Sequence, residues 1–312
     1  QFAVFFTLPA LTPLYLVSFF ASQPDSPLAV GLSLFPVTAP VAMIMRVAIS
    51  PVPAWQIAVS LTLVLLTGIA LMWAAGRLFR VVTLLSALLA QAGFCRLFRV
   101  AFDWRSPLVT GLSLSLLLRT NLPLLWAAAP ALAIGSKFLL RVRGKHLFNP
   151  AAFAIVTLLL LADGVWVSPG QWGNAAWLVL LITSAGGLVL TRSARLDTAV
   201  GFLLCFGGLL LWRAWVLGDP LAIPLHQAQS GSLLLFAFFM VTDPRSTPDS
   251  RAGRMLFVAG TAALAYHLMF AWQLRPGLYF ALMAVSCLTP AIDALLPAVR
   301  FRWQARVTCQ DT

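Results

Sequence analysis

The sequence contains no glutamate. All nine acidic residues are aspartate, lysine occurs only at positions 137 and 145, and 10% of the 312 residues are charged. A soluble domain carries about 25% charged residues, so this chain cannot cover a surface that faces water. Its four cysteines (Cys95, Cys205, Cys287, Cys309) show no CxxC or other metal-ligand spacing. That argues against an iron–sulfur cluster held by this chain alone and leaves open one shared with a partner. A zinc motif, a phosphate-binding glycine loop and a nucleophile–base constellation are all missing, which argues against soluble-type enzymology. The first residue is Gln1, with no charged n-region and no small-residue cleavage site, so no signal peptide is marked. The abrupt apolar start leads to the expectation that the true N-terminus lies upstream.

What the sequence has in abundance is apolar length: 61% of the residues are hydrophobic. A membrane span needs about 20 of them, or fewer where a broken helix is buried in protein. The candidates are 2–20, 54–75, 81–95, 107–119, 122–141, 150–162, 172–191, 197–217, 230–242, 255–272 and 278–298. The segment 29–48 holds Pro36 and Pro40 and reads as a re-entrant or interfacial piece. The expected fold is an all-α polytopic membrane helix bundle of roughly ten spans.

The net charge of +12 would suggest nucleic acid in a soluble protein. Here the basic residues sit in short loops between apolar runs, so the expected partner is the lipid bilayer and not nucleic acid. Arg77 and Arg80, Arg141 to Lys145, Arg192 and Arg195, Arg245 to Arg254, and Arg300 to Arg306 follow alternate spans, whereas 163–171 and 218–229 carry no Lys or Arg. By the positive-inside rule this places the basic loops and the C-terminus in the cytoplasm of a bacterial inner membrane.

Two of the short spans carry similar text. Thr110-Gly111 opens a run that ends at Arg119-Thr120-Asn121-Leu122-Pro123, and Ser230-Gly231-Ser232 opens another that ends at Thr242-Asp243-Pro244. This suggests an internal repeat of broken half-helices, whose free N–H and C=O groups can hold an ion or a cofactor. The alternative is that glycine permits close packing and proline ends a helix.

The run Gly135 to Ala152, containing Gly144-Lys145-His146-Leu147-Phe148-Asn149-Pro150-Ala151, resembles the GKxxFNPA signature of the RnfD/NqrB membrane subunits. Ser230 to Pro244 resembles their second signature. The segments LLLRTN (116–121), SPGQWG (168–173), IPLHQ (223–227) and DPRSTPDSRAGR (243–254) are similar to the UnbU-like branch of that family. The resemblance covers about residues 84–312. It implies a membrane subunit that supports electron transfer or coupled transport among other membrane or redox subunits. In the family a threonine of an SGAT motif carries covalent FMN. The matching position here is Leu233, which has no hydroxyl, so covalent flavin is not expected there. A non-covalent flavin, FMN or riboflavin, is the cofactor the resemblance leaves, and a cofactor-free solute or ion transporter is the alternative function.

Residues 1–83 resemble something else. Phe35 to Pro40, Met43 to Arg46, Trp55-Gln56 and the apolar run ending Ala75-Gly76-Arg77-Leu78-Phe79-Arg80 look like the C-terminal end of a type-2 ABC exporter permease. The two parts are expected to be separate domains, joined by natural fusion or as an artefact of neighbouring reading frames. An exporter fragment is the third functional reading.

Several residues have two readings. Asn149 before Pro150 is a helix cap, or with Lys145 and His146 it marks a phosphate-binding helix end. Arg119 snorkels to the interface or neutralises an anion. Asp243 opposes a helix dipole and needs a partner, with Arg245, Arg251 and Arg254 the candidates. Asp293 and His267 lie in apolar runs, where Asp293 caps or pairs with Arg300.

Overall fold

The structure, a computed structural model, describes residues 10–168 and 195–300. The predicted span 172–191 and most of the SPGQWG segment lie outside the described residues, as do residues 2–9 of the first predicted span. The chain divides into two compact units, residues 1–78 and 79–312.

The first unit holds α1 (Val17–Ser22), α2 (Pro27–Leu34), α3 (Ala39–Ile49) and the start of α4 (Ala54–Leu97). Ser26 caps α2 by accepting from Ala29 N at 3.3 Å, with Pro27 in the first turn, where its missing N–H costs nothing. The apolar stretch 29–48 is broken at 35–38, where Thr38 Oγ1 donates to Leu32 O at 2.6 Å. The unit closes around Phe20, Ala29, Ala42 and the fully buried Arg46. Arg46 Nε donates to Pro24 O at 2.7 Å, and Nη1 to Ser33 Oγ at 2.8 Å and Gln56 Oε1 at 2.9 Å. Its Nη2 lies 3.1 Å from Asp25 Oδ1. A buried guanidinium is tolerated only when its donors are satisfied in this way.

Helix α4 runs unbroken for 44 residues, about 66 Å at helical rise, more than twice the roughly 30 Å hydrocarbon thickness. The charge pattern predicts two separate spans there, 54–75 and 81–95. The intervening Gly76-Arg77-Leu78-Phe79-Arg80 contains no proline, and one interior glycine costs only about 1 kcal/mol. Charge alone does not end a helix.

In the second unit come α5 (Arg105–Leu117), β1 (Leu118–Thr120), α6 (Leu124–Leu139), β2 (Arg141–Val142), β3 (Lys145–His146), α7 (Pro150–Leu161) and β4 (Val165–Val167). Then follow α8 (Leu196–Leu217), α9 (Ala222–Ala228), α10 (Gly231–Leu235) running directly into a π-helix (Phe236–Met240), α11 (Arg251–Phe270), α12 (Gly277–Ser286) and α13 (Thr289–Leu295). Helix α11 packs on α8 and α12, and α7 on α6 and α12. Small residues line these contacts, among them Ala152, Ala154, Ala199, Ala262 and Ala281, all fully buried. Close backbone approach of this kind is how helices associate without a hydrophobic drive between them. Phe202, Phe236, Phe257 and Tyr279 fill the remaining core.

Leu204, Leu211, Trp212 and Trp215 of α8 stand exposed, as do many apolar residues of α4. An outside this apolar is suited to lipid. Three helices, Ala54–Leu97, Leu196–Leu217 and Arg251–Phe270, are long and apolar enough to cross a membrane. The pair α12 and α13 would make a fourth, bent by 46°. The chain is thus a predominantly helical membrane protein. Among the described residues it has three or four helices of crossing length where the sequence suggested many more. Helices α6, α7 and α10 with its π continuation are apolar but shorter than a full crossing.

Two short antiparallel ribbons depart from the all-α expectation. Strand β1 pairs with β4, Arg119 opposite Trp166. Strands β2 and β3 form a hairpin through Arg143 (φ 51°) and Gly144 (φ 81°). Two successive positive φ angles make the primed turn that matches strand twist, and glycine adopts it without strain.

Candidate functional site

The β2–β3 hairpin presents Lys145 and His146 inward, both buried. Lys145 Nζ donates to Thr247 O at 2.9 Å and to Asp293 Oδ2 at 2.9 Å, and lies 3.1 Å from Asp249 Oδ1. His146 Nε2 is 2.8 Å from Asp243 Oδ2. An ionised carboxylate only accepts, so Nε2 carries the hydrogen. Three residues on, Asn149 Oδ1 accepts from Ala152 N at 3.1 Å and caps α7, while Nδ2 reaches Met240 O at 3.4 Å.

The segment 242–250 is thereby held from several sides. Thr242 Oγ1 donates to Phe238 O at 2.7 Å. Asp243 Oδ1 accepts the Arg245 amide at 3.1 Å across Pro244, and Asp243 O accepts Thr247 Oγ1 at 2.9 Å. Asp249 N donates to Asp293 Oδ1 at 2.7 Å, and Thr289 Oγ1 to Ser246 O at 3.1 Å. Arg195 reaches Pro248 O at 3.2 Å, and Arg254 pairs with Asp197.

Burial alone would push the Asp243 carboxyl up. The charge and hydrogen bond of His146, the Arg245 amide and the charge of Lys137 outweigh it and hold the group below its ordinary value. Burial pushes the Arg195 guanidinium down, reinforced by the charge of Arg254.

These contacts correct two expectations. The partner of Asp243 is His146, not Arg245, Arg251 or Arg254; Arg245 gives it only a backbone amide. Asp293 pairs with Lys145, not with Arg300, whose Nη2 donates instead to Arg143 O at 2.6 Å.

Of the residues singled out from sequence, Lys145, His146, Asn149, Thr242 and Asp243 come together here. Arg119, Thr120 and Asn121 do not join them. Asn149 starts α7, and the β1–β4 ribbon follows its other end, about 18 Å away along a 12-residue helix. There Arg119 Nη1 donates to Ser115 O at 2.8 Å and Leu118 O at 3.0 Å, covering carbonyls at the end of α5. Thr120 Oγ1 accepts from Leu122 N at 3.0 Å, and Asn121 N donates to Gly164 O at 3.3 Å.

Thr110 Oγ1 donates to Ser106 O at 3.0 Å, and Gly111 packs against Leu84 and Ala87 of α4. Ser230 caps α10 by accepting from Leu233 N at 3.4 Å, with Gly231 buried and Ser232 half-buried behind it. These residues sit at the opposite end of the α10–π segment from Thr242 and Asp243. Leu233 is 3% exposed and packs in the main core. A buried alkyl side chain offers neither a linking oxygen nor an open face.

Sequence reasoning left Asp249, Thr247 and Arg195 out of the site. The signal for Asp249 was its place in the DPRSTPDSRAGR segment. Among the described residues no group of three or more His, Cys or Asp side chains is arranged to hold a metal ion.

Residues 162–302 match the model of the NQR2, RnfD, RnfE family. The chain is similar to a subunit of the ion-translocating oxidoreductase complex of Pseudomonas paraeruginosa, 33% identical over 249 residues, covering 60% of this chain and 72% of that protein. It is also similar to the proteins of that name from Stutzerimonas stutzeri, 32% identical over 136 residues, and Klebsiella pneumoniae, 33% identical over 126 residues. Those two matches cover 43% and 39% of this chain, and 38% and 34% of the relatives.

Proposed function

Because the chain belongs to the NQR2, RnfD, RnfE family, we propose that it is a membrane subunit of an ion-translocating electron-transport complex. The observation that carries the reading is the clamp between the two signature segments. Lys145 with Asp249, and His146 with Asp243, lock the hairpin before α7 to the segment before α11, and Lys145 with Asp293 ties the same hairpin to α13. The relatives' name supports the assembly. The clamp gives the signature residues a structural role, since it fixes helix ends that a partner protein would meet. The basic loops, this one included, face the cytoplasm, and any flavin is held without a bond to residue 233. The UnbU-like segments and the half-helix repeat belong to the same reading.

The test is affinity purification of the full chain in mild detergent. Further membrane or redox subunits should co-purify, with flavin absorbance released on denaturation. A chain that purifies alone and colourless from its native membrane would refute the assignment.

A second reading, cofactor-free transport on the same scaffold, is favoured by Leu233 alone, since the core seals that position. In proteoliposomes it predicts solute or ion flux without redox partners, lowered by Asp243→Asn. Flux that is absent, or unchanged in that variant, would refute it.

A further inference from the structure

Beside the clamp lies a cavity of about 300 Å³ whose wall includes Arg143, Arg245 and Arg300, with Lys145, Asp249 and Asp293 at one side. His146 also lines it but is engaged by Asp243. The charges do not balance. Both carboxylates are committed to Lys145, at 2.9 and 3.1 Å. Among the described residues none of the three guanidiniums pairs with a carboxylate. Four cations thus face two anions in a partly enclosed space, which concentrates positive potential.

One of the arginines is held by its side chain and another is placed by its backbone. Arg143 stands on the primed turn with Gly144. Arg300 is seated over that turn by its bond to Arg143 O at 2.6 Å, and a Cβ at position 144 would lie 3.3 Å from its Nη1. Arg245 is anchored at its backbone by Asp243, leaving its exposed side chain available. Guanidinium forks match phosphate oxygens bidentately, and convergent arginines are the usual means of recognising a phosphate.

We propose that this cavity binds a phosphate group, presented either as the phosphodiester of an anionic lipid headgroup or as a soluble phosphate. The inference rests on the charge imbalance and the seated Arg300, independently of the electron-transport reading.

The experiment uses the full purified chain and two probes. Native mass spectrometry from nanodiscs of mixed phosphatidylglycerol and phosphatidylcholine tests the lipid source. Thermal unfolding in detergent with inorganic phosphate, against chloride at equal ionic strength, tests the soluble source. Selective retention of phosphatidylglycerol assigns the lipid; a saturable phosphate-specific rise in midpoint assigns the soluble anion. In either case Arg245→Gln should weaken binding at least about tenfold, the worth of one charged hydrogen bond. That variant removes no side-chain contact seen in the fold, and Arg300→Gln provides a second, independent loss. The proposal is overturned if neither probe binds selectively, or if Arg245→Gln and Arg300→Gln both bind as the wild type does.

Discussion

Lys145 stands between two aspartates that have no other cation within ion-pairing distance among the described residues. Removing its ammonium leaves two largely buried carboxylates facing each other. Lys145→Met should therefore cost about 3 kcal/mol or more, read as a lower thermal midpoint in detergent. Adding Asp293→Asn should restore part of the loss, because the two changes share one interaction. Asp243 makes a different prediction. Its carboxyl is held below its ordinary value of 3.8 in the fold. The stability it contributes is then fully present above that value and is lost as pH falls through the lower folded value. The thermal midpoint of wild type should drop on acidification below about pH 4, and Asp243→Asn should show a lower midpoint at neutral pH and a shallower acid limb. The need of Asp243 for a partner was legible from the helix dipole, but the partner was not. Local sequence offers three arginines within eleven residues, whereas His146 arrives from 97 residues away, and only the folded hairpin brings it there.

At the level of elements, short apolar segments were located well and their interruptions less so. The primed turn at Arg143-Gly144 and the break at 35–38 both sit where glycine, proline or a polar residue breaks the apolar pattern. Helix α4 went the other way: arginine at 77 and 80 suggested a loop, and the backbone continues through it. Outside its own helix backbone and chain neighbours, a Cβ added at Gly76 would meet no atom within 4 Å. Gly76→Ala should consequently stabilise α4 by about 1 kcal/mol, seen as a higher thermal midpoint. An unchanged or lower midpoint would mean that the glycine serves a contact or a bend. Bending of α12 against α13 was also hidden in the sequence, since 278–298 reads as one continuous apolar run whose Pro290 is placed at the start of the second helix.

For the molecule as a whole, composition settles the solvent but not the number of crossings. Hydropathy counts apolar residues and does not distinguish a helix that meets lipid from one of 12 or 16 residues packed among its neighbours. Loop charge supplies the remaining prediction. In a cysteine-free background, Leu221→Cys, on the loop lacking Lys and Arg, should react with an impermeant maleimide added to intact cells. Arg251→Cys, at the exposed start of α11 beside a basic loop, should react only after permeabilisation. Labelling in the opposite sense would invert the proposed orientation.

The π-helix at Phe236–Met240 sets the phase of everything that follows it. Such a turn accommodates one residue more than an α-helical turn does, so it acts as a built-in offset between the capped start at Ser230 and the carboxylate at Asp243. Excising Phe239, the half-buried member of the turn, should let the segment rewind as ordinary α-helix. Asp243 would then keep nearly its present phase toward His146, because the residue removed is the one that the widened turn absorbs. Such a deletion should spare the joint between His146 and Asp243, which replacing His146 itself would break.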